Sequence, residues 1–574
     1  YDDTEIIANA EKIGEKTIKR SKGYIYKFSL DQPLKLSTKP GINMSFALAE
    51  LLKKGDKFIP KNVIEKKGKK SDKKSIDFAG EFDETNPSNI ILKVSDKKNK
   101  ALKDLGINSL PKYCDLIPLP KQIYKRMLPD LVRQAKGWVD ERKKLPDAMI
   151  HLLEKRSIPE LIDLNKKIRT NPDETASSLT EFLSSAEGIT LSLQGPPGTG
   201  KTTVTGELIA RLVDKGKRVA VSSHTHEAIN NLLKRVQKKA ESIATNPFVV
   251  KLSSGTSEKS DQQSFSGTKV QALRESALNC EPSVLGATVF SLVKERFSDE
   301  PYDLLVVDEA GQVSLSNLLY MSHCARNILL VGDQNQLSQP NRAKHPEDSG
   351  LSCLEYVMGK EKVVSSDRGV FLATSWRMPP VLTSVVSDLF YKGELLSCMS
   401  KSKNKILWKG LQQGLSFEPV EHSSNSSESK EEIDRIEQLV NQLLGCSYQL
   451  VKQDNEGPSV ITGIIGPNEI LITAPYNLQV NQLENRLSGK ARIGTVDRYQ
   501  GQEAPISIHS LTASDAENAP RGIGFVLDPN RLNVAISRAQ CLSIVVGSPD
   551  LAIGITGTIE GVMQLNRLCR IMST

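Results

Sequence analysis

The stretch GPPGTGKTT, residues 195–203, limits the fold more than any other part of the chain. Gly195, four residues, then Gly200-Lys201-Thr202 make a complete phosphate-binding loop. Just before it stands ITLSLQ (189–194), a short apolar strand, and just after it TTVTGELIARLVDKG carries apolar residues at helical spacing. A loop between a buried strand and a helix start aims unpaired backbone N–H groups and the positive end of the helix dipole at an anion. Gly195, Pro196, Pro197, Gly198, Thr199, Gly200, Lys201, Thr202 and Thr203 are therefore assigned to nucleotide binding. Lys201 can reach the β- and γ-phosphates, and the Thr202 hydroxyl can ligate Mg²⁺. The loop implies a nucleoside triphosphate. It does not say what hydrolysis drives.

From Ile189 onward apolar strands alternate with helices. RVAVSS (218–223), DLLVVDEA (303–310) and NILLVGD (327–333) are near-continuous apolar runs. That is the pattern of parallel strands covered on both faces. A second set begins near Val370 with GVFLATS and continues through EILITAPY (469–476), PISIHSL (505–511) and LSIVVGS (542–548). Only the first set carries a phosphate loop. The expected fold is therefore α/β, with one parallel-sheet domain over 151–362 and a second over 363–574. Residues 241–282 are rich in Ser, Thr, Gln and Lys and read as an insertion or mobile loop. HSSNSSESKEE (422–432) reads as a low-complexity, disordered loop.

The N-terminal part differs. Residues 1–20 read as a charged helix. Over 21–119, short β-prone runs (GYIYKFSL, QPLKLST, KFIPKNVIE, SIDFAGEF, NIILKVS) predict a small antiparallel barrel. Inside it, EKKGKKSDKK (65–74) is either a basic hairpin on a phosphate backbone or a solvated loop, the commoner fate of a charge run. Residues 120–150 are helical with mixed charge, so 1–20 and 120–150 are expected to pair as a stalk for the barrel.

Composition sets the outer bounds. At 574 residues the chain should hold roughly three to four domains. A net charge of +8 suits a polyanion partner without demanding one. No apolar run reaches the length of a membrane span and no signal peptide is visible, so no membrane partner is expected. The eight cysteines (114, 280, 324, 353, 398, 446, 541, 569) lie far apart, none in a C-x-x-C pair. Zinc and iron–sulfur sites are not expected, and free thiols in a reducing, intracellular, cytoplasmic setting are.

Further residues carry chemistry. Asp308-Glu309-Ala310 ends an apolar strand. An acid there, beside a phosphate loop, holds Mg²⁺, and the adjacent Glu309 can polarise the attacking water. Gln336, in GDQNQL at the tip of the next strand, can bond a γ-phosphate or the lytic water. An ATPase split between two domains also needs cations delivered across the cleft. Arg377 in SWRMPP and Arg538 in RLNVAISRAQ are the candidates.

Taken in order, GPPGTGKTT, SSHTHEAINNLL, GATVFSLV, DEAGQ, GDQNQL, SWRMPP, TVDRYQGQE and RLNVAISRA resemble motifs I, Ia, Ic, II, III, IV, V and VI of superfamily 1 helicases. DEAGQ, VD-x-YQG-x-E and RLNVA-x-SRA point to the Up-frameshift-like branch. The motifs span about 195 to 540. FSLVKERFSDEPYDLLVVDEAGQVS resembles bacterial members fused behind a RecB-like nuclease.

That resemblance implies two RecA-like domains with ATP and Mg²⁺ in the cleft, and a barrel insertion on a helical stalk that grips nucleic acid. It makes Lys201, Thr202, Asp308 and Glu309 the phosphate, metal and water residues. Gln336 and Arg377 would sense the γ-phosphate and Arg538 would be the arginine finger. Trp376, where relatives place a stacking Tyr, and Glu503 would contact the nucleotide. Ser223, Thr288, Pro475, Tyr476 and Thr495 match strand-contacting positions. The implied partner is single-stranded nucleic acid, DNA favoured and RNA the alternative, with 5′ to 3′ movement by a monomer. A nuclease domain or protein could precede the chain, but no nuclease core or four-Cys cluster stands in it. Two departures count. No Gln-containing motif precedes the phosphate loop, where TASSLTEFLSSAEG stands, which puts adenine selectivity in question. No Cys/His-rich zinc domain is present. Two other uses of the same machinery stay open at this level: a translocase that strips proteins without efficient unwinding, and an ATP-gated clamp.

Overall fold

The computed structural model describes residues 7–18, 21–27, 44–48, 78–82, 89–95, 110, 112–118 and helical turns within 131–139. It also describes 145–574, apart from short gaps at 254–257, 279, 293–296, 298, 340–346, 455–456, 500, 517–518 and 554–557. The chain forms two compact units, Tyr1–Pro129 and Asp130–Thr574.

In the first unit, β1 (Ile7–Ile18), β2 (Ser21–Lys27), β3 (Met44–Leu48), β4 (Phe78–Phe82), β5 (Asn89–Ser95) and β6 (Tyr113–Pro118) close into a barrel, order β1-β2-β5-β4-β3-β6. Tyr24, Tyr26, Ile90, Leu92 and Val94 are buried in it. The expected helix over 1–20 is corrected: most of it is β1, paired antiparallel with both β2 and β6. Its charged residues mimic a helix, but Gly14 weakens one, and pairing on two sides overrides so small a local preference. Over Ile7–Ile18 the chain is thus a barrel strand and not a helical leg. QPLKLST, KFIPKNVIE, the lysine run 65–74 and most of the expected leg 120–150 lie outside the described residues.

The second unit holds two parallel sheets. The first comprises β7 (Thr190–Gln194), β8 (Val219–Ser223), β9 (Val249–Leu252), β10 (Gln271–Leu273), β11 (Val284–Gly286), β12 (Tyr302–Asp308), β13 (Ala325–Gly332) and β14 (Gly369–Phe371). Their order is β10-β9-β11-β8-β12-β13-β7-β14, parallel throughout. Leu191, Leu193, Val219, Val221, Leu304, Val306, Leu329 and Val331 pack against flanking helices such as Lys201–Asp214 and His226–Ser242. Burial on both faces explains why the strands read as unbroken apolar runs.

β15 (Thr374–Ser375) and β16 (Leu396–Ser397) form a short parallel pair, and β17 (Lys405–Leu407), β19 (Ser447–Asp454) and β20 (Gly457–Ile464) a small antiparallel sheet. β18 (Gly414–Pro419), β21 (Ile470–Ala474), β22 (Arg492–Thr495), β23 (Ala504–Ser510) and β24 (Ala539–Gly547) make the second parallel sheet, order β18-β24-β23-β21-β22.

Three boundaries differ from expectation. GVF, the expected start of the second domain, is β14, an edge strand of the first sheet beside β7. Apolar pattern alone does not say which sheet a strand joins. The polar stretch 241–282 contributes β9 and β10 to the same sheet. It is anchored by the buried Asp261, which accepts from Asn230 Nδ2 (3.2 Å) and Ser253 Oγ (2.6 Å). Residues 422–432 are ordered, not low-complexity filler. His422 and Glu432 are fully buried, the His422 ring lying 2.7 Å from Ser514 Oγ and 3.1 Å from Glu432 Oε1. Ser429 caps the helix Lys430–Leu443 by accepting from Glu432 N at 3.2 Å. Polar composition signals disorder only when polar groups face water; here they satisfy one another.

Candidate active site and nucleic-acid face

The phosphate loop follows β7 directly. Gly195 N donates to Gly332 O (3.0 Å), fastening the loop to the end of β13. Gly200, at φ +79°, is the N-cap of the helix Lys201–Asp214 and supplies no side-chain acceptor. Thr203 N donates to Gly200 O (2.9 Å), and the N–H groups of Lys201 and Thr202 keep their capacity for an anion. At Gly198 (φ +75°) a Cβ would come within 2.5 Å of Arg377 Cβ. Glycine there lets the Trp376-Arg377 segment close onto the loop, where Trp376 N donates to Gly198 O (2.7 Å). Lys201 Nζ donates back across the loop to Gly195 O.

Asp308 is the last residue of β12 and is buried. Burial, then the charge of Glu309, push its carboxyl up to about 7, against the pull of Lys201. A divalent cation would reverse that penalty, so the donor set Thr202 and Asp308 fits Mg²⁺. Magnesium in such sites takes few protein ligands, the rest being phosphate and water. Glu309 turns out of the strand at φ 53°, a conformation costly for a non-glycine, with its N–H donating to Asp308 Oδ1 (3.0 Å). Gln336 Nε2 donates to Asp333 Oδ2 (2.9 Å).

Just past β15, Arg377 reaches the second sheet's segments: its Nε donates to Glu503 Oε2 (2.6 Å) and its Nη1 to Ser537 O (3.0 Å). Gln540 Nε2 donates to Glu503 Oε1 (2.8 Å). Arg538 is 3% exposed. Its Nη1 donates to Gln502 O (3.1 Å), while Nε and Nη2 are buried with no protein acceptor. Burial, then Arg377, lower its guanidinium to about 9, still charged at neutral pH, with Glu309 and Glu503 near enough to oppose the shift. Two buried, unmatched donors on a cation are costly unless an anion takes them. The site thus fits a phosphoryl group.

A cleft of about 1440 Å³ runs between the sheets. Thr199, Gly200 and Thr203 line one wall, and Trp376, Glu503 and Gln540 the other. Elsewhere in the cleft lining, Thr175 Oγ1 donates to Pro172 O (2.6 Å). Of the amides that line the cleft, Asn404 bonds Arg377 O, Gln540 O and Val451 N, and Gln540 bonds Glu503.

The five expected strand-contacting residues all fall at carboxyl ends of parallel strands, where open α/β sheets bind ligands. Ser223 ends β8, Thr288 follows β11, Pro475 and Tyr476 follow β21, and Thr495 ends β22. Their exposure is low. Ser223, Pro475 and Tyr476 are buried, and Thr288 and Thr495 are half-buried. Tyr476 packs its ring 5.5 Å from that of Phe525, so it offers no free face for a base.

Sequence reasoning missed the partners of Gln336. Asp333 also accepts from Gln194 Nε2 (3.3 Å) and from the hydroxyl of the fully buried Tyr391 (2.6 Å), to which Asn533 Nδ2 donates (2.7 Å). This chain crosses from the first sheet to the helix Pro529–Ile536 that precedes Arg538. Asp333 stands in GDQNQL and Asn533 in RLNVAISRA, but nothing in spacing pairs them.

Two family models, each described as an AAA domain, match residues 173–347 and 351–550. The DNA replication ATP-dependent helicase/nuclease dna2 of Schizosaccharomyces pombe is 29% identical over 375 residues, covering 62% of this chain and 26% of that protein. The regulator of nonsense transcripts 1 homolog of Drosophila melanogaster is 26% identical over 401 residues, covering 62% of this chain and 33% of that protein. The chain thus spans about a quarter to a third of the length of these curated relatives. A crystal structure of arterivirus nonstructural protein 10 (helicase) matches at 13% identity, covering 83% of this chain and 71% of that one, with a TM-score of 0.36. With the phosphate loop, the DEAG strand end within electrostatic reach of Lys201, and Arg538 within reach of Glu309, the chain belongs to the Up-frameshift-like branch of the superfamily 1 helicases.

Proposed function

We propose that this chain is an ATP-driven motor on single-stranded nucleic acid, moving 5′ to 3′, with DNA as the preferred strand. The observation that carries the reading is Arg538: a buried guanidinium with two unmatched donors, in electrostatic reach of Glu309. It is poised for charge that only a nucleotide in the cleft supplies.

On ATP binding, Lys201 leaves Gly195 O for the β- and γ-phosphates. Arg377, Arg538 and Gln336 turn to the γ-phosphate, which draws the two sheets together. Mg²⁺ held by Thr202 and Asp308 would neutralise phosphate charge, and Glu309 orients the water. Loss of the γ-phosphate returns the two cations to Glu503 and Gln502 and lets the cleft open. A strand lying across the carboxyl ends of both sheets is then moved by two alternating grips. The barrel of the first unit adds a third grip. Binding through phosphates makes the motor sequence-tolerant and salt-sensitive. The choice of DNA rests on the likeness to nuclease-fused relatives.

Steady-state ATP hydrolysis without nucleic acid, with single-stranded DNA and with the matching RNA tests this, with Lys201→Ala as the blank. Stimulation by DNA above RNA is expected. Equal rates in all three conditions would end the motor reading, and wild-type turnover by Lys201→Ala would end the site assignment.

A further inference from the structure

Between β23 and the helix Pro529–Ile536 the chain reads RGIGFVLDPNR, 521–531. The phenyl ring of Phe525 holds two guanidiniums: Arg521 Cζ lies 3.8 Å from its centroid and Arg531 Cζ 4.2 Å. Beside them is the buried Tyr476, whose ring stands 5.5 Å from that of Phe525 and whose hydroxyl lies within electrostatic reach of both arginines. The group sits at the carboxyl ends of β21 and β22, and Asp497, just past β22, is 3.8 Å from Arg531.

Two like charges on one ring repel, and a fold has no need to gather them there. Carboxylates only half account for them. Asp497 lies 3.8 Å from Arg531 and acts on Arg521 only from beyond ion-pair distance, and Asp528 is used as a helix cap, accepting from Arg531 N (2.8 Å). Among the described residues Arg521 has no ion-pair partner. Its side chain is exposed, and Phe525 is half-buried. Stacking fixes a guanidinium by its face and leaves its in-plane N–H donors for an anion. The result is a flat, cationic platform aimed outward where the sheet binds ligands.

We propose that the Arg521–Phe525–Arg531 stack is a binding site for single-stranded nucleic acid, with Arg521 taking a backbone phosphate and the stack's outer edge supporting a base. The inference rests on the nucleic-acid reading above and adds residues that it does not contain. It also relocates the aromatic contact: the buried Tyr476 braces the platform from beside it instead of meeting the strand.

The test is equilibrium binding of fluorescein-labelled oligothymidylate to the full chain by anisotropy, across a salt series, for wild type, Arg521→Ala, Arg521→Lys and Phe525→Leu. Arg521→Ala should weaken binding about tenfold at moderate salt and reduce the slope of log K against log salt by about 0.7, one phosphate contact on a single strand. Arg521→Lys should restore the slope but not all of the affinity, because charge returns without the planar stack. Phe525→Leu should weaken binding about fivefold or more with a smaller change in slope. If wild type binds and Arg521→Ala binds with the same affinity and slope, the proposal is wrong while the motor reading stands. If wild type does not bind at all, both fall. Loss of affinity by Phe525→Leu with Arg521→Ala unchanged would assign Phe525 to packing alone and also overturn the site.

Discussion

Arg538 shows most directly how one residue joins chemistry to fold. It is placed by the helix Pro529–Ile536, buried against the main chain of Gln502, and left with two donors to spare. A group that meets the nucleotide mainly in the transition state should affect rate more than binding. Arg538→Ala is therefore expected to retain binding of a fluorescent ATP analogue and to lose at least about a hundredfold in hydrolysis. Loss of nucleotide binding in proportion to rate would show a structural arginine. The cleft lining supports a second expectation. The lining amide Asn404 is fully engaged, Gln540 Nε2 is held by Glu503, and Thr175 Oγ1 donates to Pro172 O. A pocket without committed polar partners for the base edge discriminates weakly, so kcat/KM for GTP should lie within about a hundredfold of that for ATP. A preference of several thousandfold would mean that a backbone group reads the base. At this scale motif and order single out the phosphate loop, Asp308, Gln336, Arg377 and Arg538 as candidates, and the folded chain sets Arg377 against Gly198 and Arg538 within electrostatic reach of Glu309. Their partners were not legible in the sequence, because Asp333, Tyr391 and Asn533 meet across long sequence separations (58 residues from Asp333 to Tyr391, 142 from Tyr391 to Asn533).

At the scale of elements, the link between the two sheets runs through that buried chain. Asp333 accepts from Gln336, Gln194 and Tyr391, and Tyr391 accepts from Asn533. One end holds Gln336, the proposed γ-phosphate sensor, and the other the helix that precedes Arg538, the proposed arginine finger. When Gln336 turns to a phosphate, Asp333 loses a donor, and the hydrogen bonds that it and Tyr391 make can re-form around the new geometry. Tyr391→Phe removes only the hydroxyl. We expect the ratio of nucleic-acid-stimulated to unstimulated hydrolysis to fall about tenfold, within the range of a coupling energy of 1–2 kcal/mol. A purely structural hydroxyl would lower melting temperature and leave that ratio untouched, and such a result would remove the coupling role. Elements were less legible than residues for a physical reason. β1 looks helical until its pairing with β2 and β6 is known. β14 looks like the start of a new domain until it is seen beside β7. Residues 422–432 look disordered until His422, Glu432 and Ser514 are seen to saturate one another. In each case a tertiary contact decides, and local pattern has no access to it.

For the molecule as a whole, the cleft belongs to neither sheet alone. Trp376 is bonded to the phosphate loop, while Arg377 is bonded to Glu503 and Ser537 of the second sheet's segments. A ligand that completes both walls should stabilise both domains together. Mass action sets the scale: a non-hydrolysable ATP analogue with Mg²⁺ at about a hundred times its Kd adds about 2.7 kcal/mol to the state that binds it. In differential scanning calorimetry the transitions of the two parallel-sheet domains should rise and draw closer as analogue is added. Lys201→Ala should lose the shift by losing affinity for the phosphates. Arg377→Ala makes the sharper test. It leaves the phosphate loop intact but cuts the bridge to Glu503, so the transition of the first sheet should still rise while that of the second no longer follows it. If both transitions rise together in Arg377→Ala as in wild type, the domains are coupled elsewhere, and the buried Asp333–Tyr391–Asn533 chain becomes the place to look. If only the first rises even in wild type, nucleotide binds one wall of the cleft without closing it, and closure must await the nucleic acid.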